Sequence, residues 1–118
     1  MTIGANPRRR FVLGNWKMNV TVHKARVLAA ALRATINRDA AAILERCDAV
    51  IAPPLLAIPA VAQEIARSCI GLAGQNMYCE DKGPFTGEVS APRLKNIESL
   101  TCSLAIPSAA ICSMRMTS

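Results

Sequence analysis

The chain has 118 residues and a mass of 12.6 kDa, with 52% hydrophobic residues, few aromatics and a formal net charge of +6. That length suits one small domain, and a mean hydropathy of +0.26 argues for a buried core over a disordered tail, which needs low hydrophobicity and high charge. The basic residues are dispersed apart from Arg8, Arg9 and Arg10, with neither aromatic interleaving nor a nucleic-acid-binding motif, so nucleic acid is not an expected partner.

The Arg triplet runs into Phe11, Val12 and Leu13 in the manner of a signal peptide, but Asn15 and Lys17 break the apolar run at once. No stretch approaches the ~18 uninterrupted apolar residues of a membrane span, so no membrane association is expected. Five cysteines (Cys47, Cys69, Cys79, Cys102 and Cys112) form an odd set without CxxC spacing, beside a single histidine. That pattern argues against zinc and against a disulfide framework, and suits free thiols in the cytosol.

In chain order, residues 11–14 are a short apolar run predicting a buried strand, and residues 15–19 turn polar at its carboxyl end. Thr21 is a suitable N-cap for a helix over residues 22–36, where Ala25, Leu28, Ala29, Leu32 and Ile36 recur at helical spacing. Lys24, Arg26 and Arg33 then face water, as does His23 in the first turn. Residues 48–52 predict a second strand, stopped by Pro53 and Pro54, which lack a ladder donor. A second helix is expected over residues 56–69, with Pro59 in its first turn. Residues 70–73 form a third strand, and Gly74, Gln75 and Asn76 leave its end. A loop over residues 77–88 follows, after which Ser90 can cap a helix that begins at Ala91 and Pro92.

Strands alternating with helices imply βαβ units and a parallel sheet. In such folds chemistry gathers beyond the carboxyl ends of the strands, where Asn15, Lys17, Gln75 and Asn76 all fall.

Three segments, in this order and spacing, resemble the triosephosphate isomerase family: FVLGNWKMN at 11–19, APP at 52–54 and GQNMYCEDKGPFTGE at 74–88, followed by Ser90, Leu94 and Lys95. The resemblance implies an α/β fold, the first three to four βα units of a (β/α)8 barrel, incomplete because a whole barrel takes about 250 residues. It implies a cytoplasmic isomerase of glycolysis and gluconeogenesis that interconverts dihydroxyacetone phosphate and glyceraldehyde 3-phosphate through an enediolate, without metal or organic cofactor. Lys17 then corresponds to the active-site lysine, whose ammonium neutralises the phosphate-bearing substrate and the developing oxyanion. Asn15 supplies a substrate hydrogen bond. Gln75 and Asn76 correspond to supporting amides that hold the lysine loop, although ordinary turn residues would look the same. Phe85, Thr86, Gly87 and Glu88 resemble the tip of the loop that enters the neighbouring subunit of a homodimer. A solvent loop would suit Asp81, Lys82 and Gly83, but leaves an apolar Phe85 unexplained.

The sequence departs from the family in one respect that bears on activity. The family's base is a glutamate and its electrophile a neutral histidine in a GHSERR-like segment after the fourth strand. Here residues 103–110 read SLAIPSAA. Permitted codons for residues 97–117, with one nucleotide restored after the first, translate as IGVTYVLIGHSERRHMFNEND. In that shift the first two bases of each codon become the last two of the next reading, so Ile106 admits only Tyr, His, Asn or Asp. Residues 1–97 are therefore expected to be the front of an isomerase barrel and residues 98–118 a frameshifted tail. With no general acid or base, the chain alone is expected to be inactive. The competing expectation is a non-catalytic fragment that associates with an intact subunit or aggregates.

Overall fold

The computed structural model describes residues 10–39, 42 and 45–99. Strands β1 (Arg10–Asn15), β2 (Cys47–Ala52) and β3 (Ile70–Leu72) form a parallel sheet in the order β1-β2-β3, with helices α1 (Val22–Asp39), α2 (Ile58–Ile65) and α3 (Ala91–Ser99). This is the alternation expected from the apolar runs. The expected tail, and any fourth strand, lie outside the described residues.

Register sets which side chains share a face, because opposed residues of paired strands point the same way. Leu13 stands opposite Val50, and Asn15 opposite Ala52. Val50, Ala52 and Ala73 form one buried cluster, whereas Ile51, Ile70 and Leu72 belong to the larger core that includes the helices. Asn15 therefore shares with Val50 and Ala52 the sheet face opposite the helical core, at the carboxyl end of β1. β1 is exposed along its whole length, with Phe11 at 50% and Val12 at 59%.

The helical core is built on small residues of α1. Ala25 and Ala29 are fully buried and join Ile58, Val61, Ala62 and Ile65 of α2 in one cluster. Burying one aliphatic side chain of this size stabilises by roughly 1.5–3 kcal/mol, and Val61 has no exposure at all. Leu28, expected on the buried face, remains 38% exposed because the alanines set the contact. Glu64 ties the two helices together: its carboxylate accepts from Arg26 Nε at 3.0 Å and its backbone carbonyl from Arg33 Nη1 at 3.2 Å.

Helix boundaries follow local chemistry. Thr21 starts α1 as expected, its carbonyl accepting from Ala25 N–H at 2.8 Å and its hydroxyl from Lys24 N–H at 3.4 Å. The segment expected as a helix over 56–69 divides into a 3₁₀ turn (Leu55–Ala57) and α2, with Pro59 in the first turn of α2. α2 stops at Ile65 because Ala66 is extended and Arg67 is left-handed at φ 62°, while Ser68 N–H and Oγ–H both donate to Ile65 O. Ser90 starts α3 through its backbone carbonyl, which accepts from Leu94 N–H at 3.3 Å. Its hydroxyl is buried with no partner among the described residues, so the expected side-chain cap is not made.

Candidate active site

β1 ends at Asn15, and the chain then turns before entering α1. Trp16 N–H donates to Ala52 O at 3.0 Å, extending the β1–β2 seam by one bond. Asn15 Oδ1 accepts from Lys17 N–H at 2.8 Å, closing a tight turn on the lysine. Lys17 itself sits at φ 56°, a left-handed conformation that is uncommon for residues other than glycine and asparagine. Asn19 Nδ2 donates to Trp16 O at 2.8 Å and braces the turn from the other side.

The third strand reaches this turn through one side chain. Gln75 Nε2 donates to Lys17 O at 2.7 Å and to Ala52 O at 2.9 Å. An amide nitrogen carries two hydrogens, so both contacts can form together, and Ala52 O then uses both lone pairs, one on Trp16 N–H and one on Gln75. The backbone N–H and C=O of Lys17 are thereby both occupied. Its side chain is exposed and has no ion-pair partner among the described residues.

Of the residues singled out in the sequence, Asn15, Lys17 and Gln75 come together in one hydrogen-bonded group. Asn76 does not join those bonds; it lines a cleft of about 200 Å³ with Gln75, Leu55, Ile58 and Gly87. Phe85, Thr86, Gly87 and Glu88 lie on the loop between β3 and α3. Its neck is closed by Tyr78 N–H to Val89 O at 2.8 Å and its tip by Glu88 N–H to Phe85 O at 3.1 Å. The Phe85 ring is not free in solvent, since it packs on Tyr78 with centroids 4.5 Å apart, yet it stays 38% exposed. His23 is an exposed residue of α1 that lines a groove with Arg26, Val27 and Glu64, away from the Gln75 cleft. No group of three potential metal ligands occurs among the described residues, and none of their helices is long and apolar enough to cross a membrane.

Sequence reasoning used Trp16 and Asn19 only as part of the FVLGNWKMN segment, without giving either a role, and passed over Val20. The Asn at 19 was the one available signal, since Asn side chains often satisfy turn backbones. Left-handed Val20, at φ 68°, carries no sequence signal because β-branched residues disfavour that region.

A parallel βα sheet with a left-handed lysine and a tethering glutamine at its carboxyl end belongs to the class of βα-barrel proteins whose sites are assembled from strand-end loops. The sequence model described as triosephosphate isomerase matches residues 10–105. The chain is 43% identical over 99 residues to the triosephosphate isomerase of Chlorobium phaeovibrioides, covering 84% of this chain and 37% of that protein. It is 38% identical over 90 residues to that of Moorella thermoacetica (76% and 34%) and 43% over 86 residues to that of Chloroflexus aurantiacus (73% and 32%). The chain belongs to the triosephosphate isomerase family. It spans about a third of the length of these curated relatives.

Proposed function

We propose that this chain supplies the anion-binding half of a triosephosphate isomerase site, acting on dihydroxyacetone phosphate and glyceraldehyde 3-phosphate in the cytoplasm without a cofactor. The observation that carries this reading is the fixed backbone of Lys17 beside its exposed ammonium, which no described residue pairs. A cation preset in that way stabilises charge that develops on an enediolate oxygen without having to reorganise. Asn15 commits Oδ1 to the loop, so its Nδ2 is the donor left for substrate. Gln75 holds the lysine loop against the end of β2, and Asn76 shapes the cleft beside it. Phe85, Thr86, Gly87 and Glu88 form the surface through which two subunits meet, with Phe85 as the apolar contact.

The one histidine of the sequence lies on the α1 surface, in a groove that does not include Lys17, and so is not placed as its proton-transfer partner. We assign residues 98–118 to a reading frame shifted by one lost nucleotide. Sequencing the coding DNA checks this, and an uninterrupted frame with codons incompatible with GHSERR refutes it. The functional test compares triose phosphate exchange by the 118-residue chain with that of a frame-restored, full-length version. The restored protein is expected to turn over in a Lys17-dependent manner and the short chain not at all; Lys17-dependent turnover by the short chain refutes the reading.

One observation favours a second reading, the non-catalytic fragment. β1 is exposed along its length, and an unpaired edge with apolar side chains favours association. Co-purification of the 118-residue chain with an intact isomerase subunit would support it, and a soluble monomer that captures none would count against it.

A further inference from the structure

The turn that presents Lys17 contains two left-handed residues and no glycine, Lys17 at φ 56° and Val20 at φ 68°. We infer that Val20 is a positioning residue for Lys17: a strained joint between two anchored segments, whose tendency to unwind is opposed by the Gln75 tether. The inference rests on reading Lys17 as the anion-binding group of the site.

An L-residue in the left-handed region crowds its Cβ against the backbone, and a branched Cβ makes the crowding worse. Valine persists there only when its surroundings over-determine it. Burial does not do so, since Val20 is 39% exposed. The anchors on either side do. Before it, the chain is pinned by Trp16 N–H on Ala52 O, by Lys17 N–H on Asn15 Oδ1, by Gln75 Nε2 on Lys17 O and by Asn19 Nδ2 on Trp16 O. Directly after it, Thr21 is fixed as the start of α1 by bonds from Ala25 and Lys24. Val20 is thus the joint where two fixed segments meet, and it takes the backbone conformation they impose. Among the described side chains that anchor the turn, Gln75 alone comes from a distant part of the chain, 58 residues from Lys17.

Two consequences follow from this coupling. A residue that accepts the left-handed region should make the Lys17 turn more persistent, and it should make the turn less dependent on Gln75. Alanine, which loses the branch but keeps Cβ, should not do either to the same degree.

The test is amide hydrogen exchange at Lys17, whose N–H donates to Asn15 Oδ1, followed by NMR in the 118-residue chain carrying Val20→Gly, Val20→Asn, Val20→Ala or Gln75→Met, and in the Val20→Gly/Gln75→Met pair. Val20→Gly and Val20→Asn are expected to slow exchange about fivefold, the equivalent of relieving one left-handed residue, and Val20→Ala to slow it less than about twofold. Gln75→Met is expected to accelerate exchange several-fold when Val20 is retained and much less when it is combined with Val20→Gly. Equal effects of Gln75→Met in both backgrounds, or Val20→Ala matching Val20→Gly, overturn the proposal. If Gln75→Met does not fold, the comparison of the three Val20 variants decides alone. Exchange reads the turn whatever the ligand is, whereas a shift of the Lys17 side-chain resonances on adding inorganic phosphate reads the anion site, so the two ideas fail separately.

Discussion

The side-chain amide of Gln75 lies 2.7 Å from the backbone carbonyl of Lys17, a residue 58 positions earlier, and 2.9 Å from that of Ala52. One nitrogen thus joins the ends of all three strands. Gln75→Met keeps the length of the side chain and removes both donors, which is expected to cost about 1–2 kcal/mol in urea denaturation, because Ala52 O keeps its bond from Trp16 and water reaches Lys17 O. Gln75→Glu should be worse at neutral pH, since a carboxylate would face two carbonyl oxygens. A Glu variant as stable as the parent chain would show that the tether contributes little.

Under the proposed function, the two amide atoms of Asn15 divide loop support from ligand binding. Asn15→Asp retains an acceptor for Lys17 N–H and should stay within about 0.5 kcal/mol of the parent in stability, whereas Asn15→Leu should lose about 1 kcal/mol. In the frame-restored enzyme both variants should lose turnover, since neither carries the Nδ2 donor. Full activity in Asn15→Asp would remove Asn15 from the substrate contacts.

The fold was legible where a signal is local and periodic. The apolar runs placed β1, β2 and β3, Pro53 and Pro54 ended β2, and Thr21 marked the start of α1. The early end of α2 was not legible, since it depends on left-handed Arg67, a position without the usual glycine. Nor was the Arg26–Glu64 pair, whose members are 38 residues apart and meet only once α1 and α2 pack. At the site, the family pattern named Asn15, Lys17 and Gln75, but which atom bonds to which is set only when the three strand ends come together. Val20 was invisible because its conformation is imposed by neighbours and contradicts its own propensity.

Arg38 and Asp39 form a two-bond pair at 2.8 and 2.7 Å on the surface at the end of α1. The guanidinium lowers the Asp39 carboxyl from its ordinary range, and the carboxylate raises Arg38. A carboxyl lowered in the folded state contributes above its unfolded titration range and loses that contribution as pH falls through the lowered value. NMR titration should therefore place the Asp39 midpoint below an ordinary aspartate, and Arg38→Gln should return it. Because both groups are exposed and screened by solvent, the same variant should lower the urea midpoint at pH 7 only slightly. A marked loss of stability would mean that the pair holds the end of α1 in place.

Gly74 is where β3 leaves the sheet beneath α3, and its lack of a side chain is required by a neighbour. A Cβ built there would lie 3.0 Å from Leu94 Cδ1 and 3.4 Å from Leu94 Cδ2. Leu94 is 4% exposed and belongs to the helical core, so it has little room to give way. Gly74→Ala should therefore cost about 1–3 kcal/mol by overpacking, in spite of the backbone entropy that alanine removes from the unfolded chain. Leu94→Ala alone should cost about 2–5 kcal/mol through the cavity it leaves. Combined, the two changes should cost less than their sum, because the added methyl occupies space the leucine vacates, and residues in contact couple in this way. Strict additivity in urea denaturation would mean that Gly74 and Leu94 do not press on one another. Since Gln75 is the next residue, a Gly74→Ala chain should also show faster exchange at the Lys17 amide, linking the packing of α3 to the turn that presents the lysine.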